Sequence, residues 1–245
     1  IVQYLGWRWV FLLVPVLAIP AALLLVPALR ASAQDVRRTT TARPVVRWAV
    51  GTALAALALY VGGQQHGVVA VALVGAALGG LVFCCRHLLP AGTLQLARGL
   101  PSVIALRGIA ASAFFAAEAF LPLLLQRERD LSPLWAGAAL SMGALGWFAG
   151  SWFQGHQRHG WTRSQLVRTG AWMMCVGLLV TSLTLQQGVP LLLALAGWSL
   201  TGLGMGLIYP SLSVLTLSMS APHEQGANSS ALQLSEGVAV ATALA

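Results

Sequence analysis

The chain has 245 residues, 58% of them hydrophobic and only 8% charged, with 14 basic side chains against 6 acidic ones. A soluble domain carries about 25% charged residues, so this composition excludes an ordinary water-soluble fold, as does a mean hydropathy of +0.78. The formal charge of +8 does not indicate nucleic-acid binding, because the basic residues, all Arg, are scattered over joints between apolar stretches and form no basic patch.

A bilayer core about 30 Å thick is crossed by about 20 apolar residues in a helix. Apolar stretches near that length recur about eight times, which predicts an all-α, polytopic transmembrane bundle. The first covers about 7–29 and contains Pro15, Pro20 and Pro27, tolerated where neighbouring helices satisfy the freed carbonyls. A polar joint with Arg30, Arg37, Arg38, Arg43 and Arg47 leads to the second, about 46–62, and a short turn leads to the third, about 68–85. Arg86, His87, Pro90 and Arg98 mark the next joint. The fourth, about 101–125, holds two ionisable residues, Arg107 and Glu118. Ser132 and Pro133 have the pattern of an N-cap and a first helical residue, opening the fifth, which runs to about 153. The sixth covers about 166–185, and the seventh, about 189–218, contains Pro210. The eighth follows Gly226 and is still apolar at Ala245. Because the chain starts at Ile1 and stops inside this stretch, it reads as part of a longer membrane protein.

Alternate joints hold ten Arg, beginning with the joint at Arg30, and the joints between them hold three: Arg8, Arg127 and Arg129. The positive-inside bias places the Arg-rich joints in the cytoplasm. Gly75 and Gly79, Gly146 and Gly150, and Gly202 and Gly206 are each four apart, the spacing at which small residues let helix backbones approach closely in lipid. Gly202, Gly204 and Gly206, with Pro210 one turn on, suit a helix that bends.

Few residues can carry chemistry. Glu118 lies among Ala and Phe in the middle of a span, where a carboxylate costs about 2.5–3.5 kcal/mol. It reads either as a proton-binding group or as a structural glutamate. Arg107 is eleven residues earlier, on the same helical face but about 16 Å away along the axis, too far for direct pairing. It either lines a cavity with Glu118 or snorkels to the cytoplasmic surface. Glu236, with Gln233 three residues before it, either lines the same cavity or meets another helix. His156 and His159 belong to a loop and make no metal set, and the three Cys have no metal-like spacing. No P-loop, nucleophile elbow or paired catalytic carboxylates are present, so neither ATP-driven transport nor an enzyme is indicated and no cofactor is expected.

Gly6-Trp7-Arg8-Trp9-Val10-Phe11-Leu12 resembles the entrance to the sixth helix of drug:proton antiporters of the major facilitator superfamily. Gly150-Ser151-Trp152-Phe153-Gln154-Gly155, followed by Arg158, Gly160 and Arg163, is similar to the family's cytoplasmic loop motif without its usual acid. Gly204-Met205-Gly206-Leu207-Ile208-Tyr209-Pro210 and Gln225-Gly226-Ala227 also look like this group. In the fourteen-span branch two extra helices follow the sixth. The resemblance therefore implies that 1–29 ends a first helical half and that 30–100 holds a basic linker, two extra helices and a loop, with 101–245 an incomplete second half. It implies proton-coupled efflux of drugs or metabolites through a multi-pass protein of the cell's inner membrane. The partners would be a small-molecule substrate, protons, the lipid bilayer and the missing remainder of the transporter. Glu118, Arg107, Glu236 and Gln233 would then serve proton coupling or the substrate cavity, and Gly146, Gly150, Gly202, Gly206 and Pro210 packing or gating. The alternatives are an importer or facilitator of the same fold, or an inactive truncated membrane protein.

Overall fold

The computed structural model describes residues 15, 16, 18–20, 22, 23, 42–156, 160–183, 186 and 188–245, with the side chains of 42–44 left out. Most of the first predicted span, the Gly6–Leu12 motif, the joint from Arg30 to Arg38, Arg158 and His159 lie outside the described residues. The chain divides into two compact units, 1–42 and 43–245; the fold described below is that of the second. Among the described residues there are α-helices and no strands.

Seven α-helices follow one another: α1 (Ala42–Gly63), α2 (Gly67–Leu88), α3 (Leu100–Glu128), α4 (Pro133–Gly155), α5 (Arg163–Ser182), α6 (Leu191–Ser218) and α7 (Gln225–Leu244). A short 3₁₀ turn, Thr93–Gln95, interrupts the α2–α3 link. The predicted second to eighth spans all appear as helices, with ends displaced by a few residues. Residues 45–63 of α1, together with α2, α3 and α6, are long and apolar enough to cross a bilayer by themselves. The helices α4, α5 and α7 have 23, 20 and 20 residues, or about 30 Å and more at 1.5 Å per residue. They have the length of a span but a less uniformly apolar composition.

Helix ends follow local chemistry. Ser132 occupies the N-cap of α4 with Pro133 at the first position, although its side chain makes no capping bond. Thr162 and Gln165 form a reciprocal capping box that starts α5 three residues before the apolar run.

Neighbour pairs reveal the helix directions. In the α1–α2 hairpin, Trp48 stacks on His87 at 3.9 Å, while Gly51 faces Cys84 and Gly62 faces Leu73, an antiparallel order. Gly143 of α4 meets Trp198 of α6 and Gly150 meets Gly206, so these two helices are parallel. Gly170 of α5 meets Gly204 and Gly177 meets Gly197, which makes α5 antiparallel to α6. Ile104 of α3 packs with Ala231 and Leu232 and Gly108 faces Ser235 and Ala239 of α7, again a parallel order. These directions are the ones that helices crossing a membrane alternately must have.

The centre of the unit is α6, buried against α4 on one side and α5 on another. A Cβ on Gly146 would stand 2.9 Å from the backbone nitrogen of Leu203, and one on Gly204 would stand 2.8 Å from that of Met174. No side chain fits such a gap; the two backbones touch, and dispersion between them replaces the hydrophobic drive that lipid cannot supply. Gly75 and Gly79 behave differently: they are exposed, and a Cβ on either would meet nothing within 4 Å. The α1–α2 contact uses the opposite face of α2, at Leu73, Gly80 and Cys84.

Candidate functional site

Beside the glycine-packed core, α3, α6 and α7 meet through polar side chains. Arg107 stands two turns into α3 and is only 1% exposed. Its Nε donates to Glu236 Oε2 of α7 at 2.8 Å. Its Nη1 donates to the Tyr209 carbonyl of α6 at 3.0 Å and to Ser213 Oγ at 3.2 Å. The guanidinium carbon lies 3.0 Å from the centre of the Tyr209 ring. The Tyr209 hydroxyl reaches both carboxylate oxygens of Glu236, at 2.9 and 3.0 Å, and can donate to one of them at a time. One tyrosine therefore touches both members of the ion pair, the cation through its ring and carbonyl and the anion through its phenol.

Burying two charges is unfavourable unless they are paired and their remaining donors are satisfied. Arg107 is paired, its Nε and Nη1 donors are taken up by Glu236, Tyr209 and Ser213, and the Glu236 side chain is 16% exposed. Arg107 therefore does not snorkel to the surface. It ties three helices together inside the membrane span, and its partner is Glu236, not Glu118.

Pro210 immediately follows Tyr209. A proline inside a helix has no N–H for the carbonyl four residues back, here that of Gly206. Ser151 Oγ of α4 donates to this carbonyl at 3.3 Å. The bend-prone turn of α6 thus has its orphan acceptor filled from a neighbouring helix, next to the ion pair. Aromatic rings surround the same turn: Trp147 lies 5.1 Å from Tyr209, and Phe114 of α3 packs between Trp147 and Trp198 at 5.1 and 5.0 Å.

Glu118 is half-buried on α3, eleven residues or about 16 Å along the axis from Arg107, and among the described residues it has no hydrogen-bond or ion-pair partner. Gln233 is not part of the cluster. Three residues turn a helix by about 300°, which leaves it about 60° around the axis from Glu236 and on the exposed side of α7. Gly146, Gly150, Gly202 and Gly206 come together in the seam between α4 and α6. At the end of this seam Arg163 donates to Gln154 Oε1, joining α4 to α5 within the stretch that resembles the loop motif.

Ser213 does not stand out in the sequence, and Tyr209 and Ser151 enter it only as members of motifs, with nothing local to say that they meet Arg107, Glu236 or the Gly206 carbonyl. The ion pair had a readable signal. Only one cation and two acids lie deep in the predicted spans, and ionisable groups there pair with one another; which acid pairs with Arg107 depends on helix packing.

Residues 1–244 match the family model described as Major Facilitator Superfamily. No curated protein and no solved structure matches the chain.

Proposed function

This chain belongs to the Major Facilitator Superfamily, a family of membrane-embedded, multi-pass transporters of small molecules, and from that premise we propose that it exports small amphipathic molecules in exchange for protons. The observation that carries the reading is the buried Arg107–Glu236 pair with Tyr209 on both partners. Uptake of a proton by Glu236 would neutralise it and leave Arg107 charged without a counter-charge. Removing one partner from a buried pair costs about 3–5 kcal/mol, enough to shift a balance between two packings of α3, α6 and α7. The outer carboxyl, Glu118, would take the proton first, and Pro210 would let α6 bend as the bundle rocks between inward- and outward-open forms. The Arg bias supports cytoplasmic placement of the α2–α3 and α4–α5 links, in the inner membrane of a cell.

The test is transport in proteoliposomes with an imposed pH gradient and an amphipathic fluorescent dye. The wild type should accumulate dye only with the gradient. Glu118→Gln, which keeps the shape and removes the titration, should lose gradient-driven accumulation while remaining folded. Wild-type accumulation by Glu118→Gln across pH would remove this residue from coupling. Dye movement that ignores the gradient in the unaltered protein would make it a facilitator. For orientation, an impermeant thiol reagent outside intact cells should label Arg127→Cys and not Arg98→Cys, in a background without the native cysteines. The reverse labelling would invert the topology.

A further inference from the structure

Two adjoining cavities lie where the α1–α2 hairpin meets α3 and α7. The first, about 260 Å³, sits at the end of α2 and is walled by Arg86, Thr93, Gln95 and the backbone of the loop between them. The second, about 230 Å³, continues between α3 and α7 past Ala105, Ile109, Val238 and Ala239. They share Cys85, Leu89, Thr93 and Leu94, so a compartment of mixed polarity that includes Arg86 adjoins a mostly apolar one. The floor of the second is the close α3–α7 contact, where a Cβ on Gly108 would stand 2.8 Å from the Ser235 carbonyl oxygen and 3.2 Å from Ala239 Cβ; Ala105 and Val238 line the space beside that contact.

The first compartment lies at the end of α2, the apolar helix Gly67–Leu88. His87, next to Arg86, stacks on Trp48, and Arg47 stands 5.0 Å from the same indole; Trp with Arg is the pattern of a helix end at headgroup level. Arg86 is exposed, and among the described residues neither cavity has an acidic side chain in its wall. Leu94 and Leu96 at the rim are 49% and 57% exposed, as suits a rim in contact with lipid. Ala105 and Ile109 are five and nine residues into α3, or about 8–14 Å from its start, a depth reached by the upper part of an acyl chain.

The geometry points to a bound anionic phospholipid, its headgroup phosphate against Arg86 and one acyl chain in the apolar compartment between α2, α3 and α7. This site is separate from the ion pair, and it depends on the protein being in a membrane, not on proton coupling. The lipid would fill the groove between the end of α2 and the α3–α7 contact.

Native mass spectrometry of the purified protein tests the site, with phosphatidylglycerol and phosphatidylcholine of matched chains as probes. One phosphatidylglycerol should be retained, at least about fivefold more tightly than phosphatidylcholine, the value of one basic side chain at headgroup level. Arg86→Ala should weaken phosphatidylglycerol retention by about the same factor, and Arg86→Lys should restore it. Arg168→Ala, which changes an exposed Arg lining the next groove beyond Leu96 and Ile109, should leave retention unchanged. Ala105→Trp should lower retention of both lipids by filling the apolar compartment; Arg86→Ala, at an exposed position, decides the matter if that variant does not fold. Equal retention of the two lipids would overturn the proposal. So would equal losses in Arg86→Ala and Arg168→Ala, or displacement of the lipid by inorganic phosphate, which would make the site one for a free anion.

Discussion

Helix α6 is held in two different ways on its different sides. Toward α4 and α5 it packs through glycine, backbone on backbone, and among the described residues no charged side chain stands against these glycines. Toward α3 and α7 it is tied by a buried ion pair bridged through Tyr209. The first contact depends on shape alone and does not respond to pH. The second depends on two opposite charges, and loss of either one leaves the other buried and unpaired. A carrier needs both kinds of contact: a firm one, so that a bundle moves as a body, and a switchable one, so that something starts the motion.

The sharpest way to break this comparison is to add bulk to the seam. A Cβ on Gly202 would lie 2.8 Å from the Gly143 carbonyl carbon and 3.0 Å from its Cα, both backbone atoms that cannot swing aside. Gly202→Leu should abolish the monodisperse folded peak in size-exclusion chromatography, because overpacking costs about 1–3 kcal/mol even where side chains can adjust. Gly75→Leu, with open space around it, should change stability by less than about 0.5 kcal/mol. If the two variants behave alike, the seam is not what holds α6.

Removing one charge from the junction should have the next largest effect. Glu236→Gln leaves Arg107 buried and unpaired, and we predict a loss of about 3–5 kcal/mol in thermal or denaturant unfolding. Arg107→Gln should do similar damage. The double variant should recover most of the loss, since no lone charge then remains. A double variant no more stable than the singles would mean that these residues act separately.

The two contacts were unequally legible in the sequence. A spacing of four between glycines can be read from the chain, and Gly146, Gly150, Gly202 and Gly206 all lie in the α4–α6 seam. The same spacing misled at Gly75 and Gly79, since it shows that a helix face is small but not that a neighbour covers it. The junction joins residues 107, 209 and 236, and no local pattern links positions so far apart. Direct contact between Arg107 and Glu118 was ruled out from helix geometry alone, and the structure agrees. The true partner depends on α3 and α7 lying side by side, which apolar periodicity does not encode. Gln233 shows the limit of the i,i+3 rule: it selects neighbours on a helix surface without saying which of them faces inward.

The smallest effect lies where the two contacts meet, at the turn before Pro210. The Gly206 carbonyl has no N–H from position 210, and Ser151 Oγ supplies a hydrogen bond at 3.3 Å, a long one. Side-chain bonds between membrane helices average about 0.6 kcal/mol, so Ser151→Ala should lower stability by about that much. Pro210→Ala would return the missing N–H, close the helical bond to Gly206 and leave Ser151 with nothing to fill. In that background Ser151→Ala should cost nothing measurable. Pro210→Ala should also stiffen α6, slowing transport without loss of folded protein. If Ser151→Ala is equally harmful with and without Pro210, the hydroxyl acts through some other contact, and the carbonyl freed by proline is not what it serves.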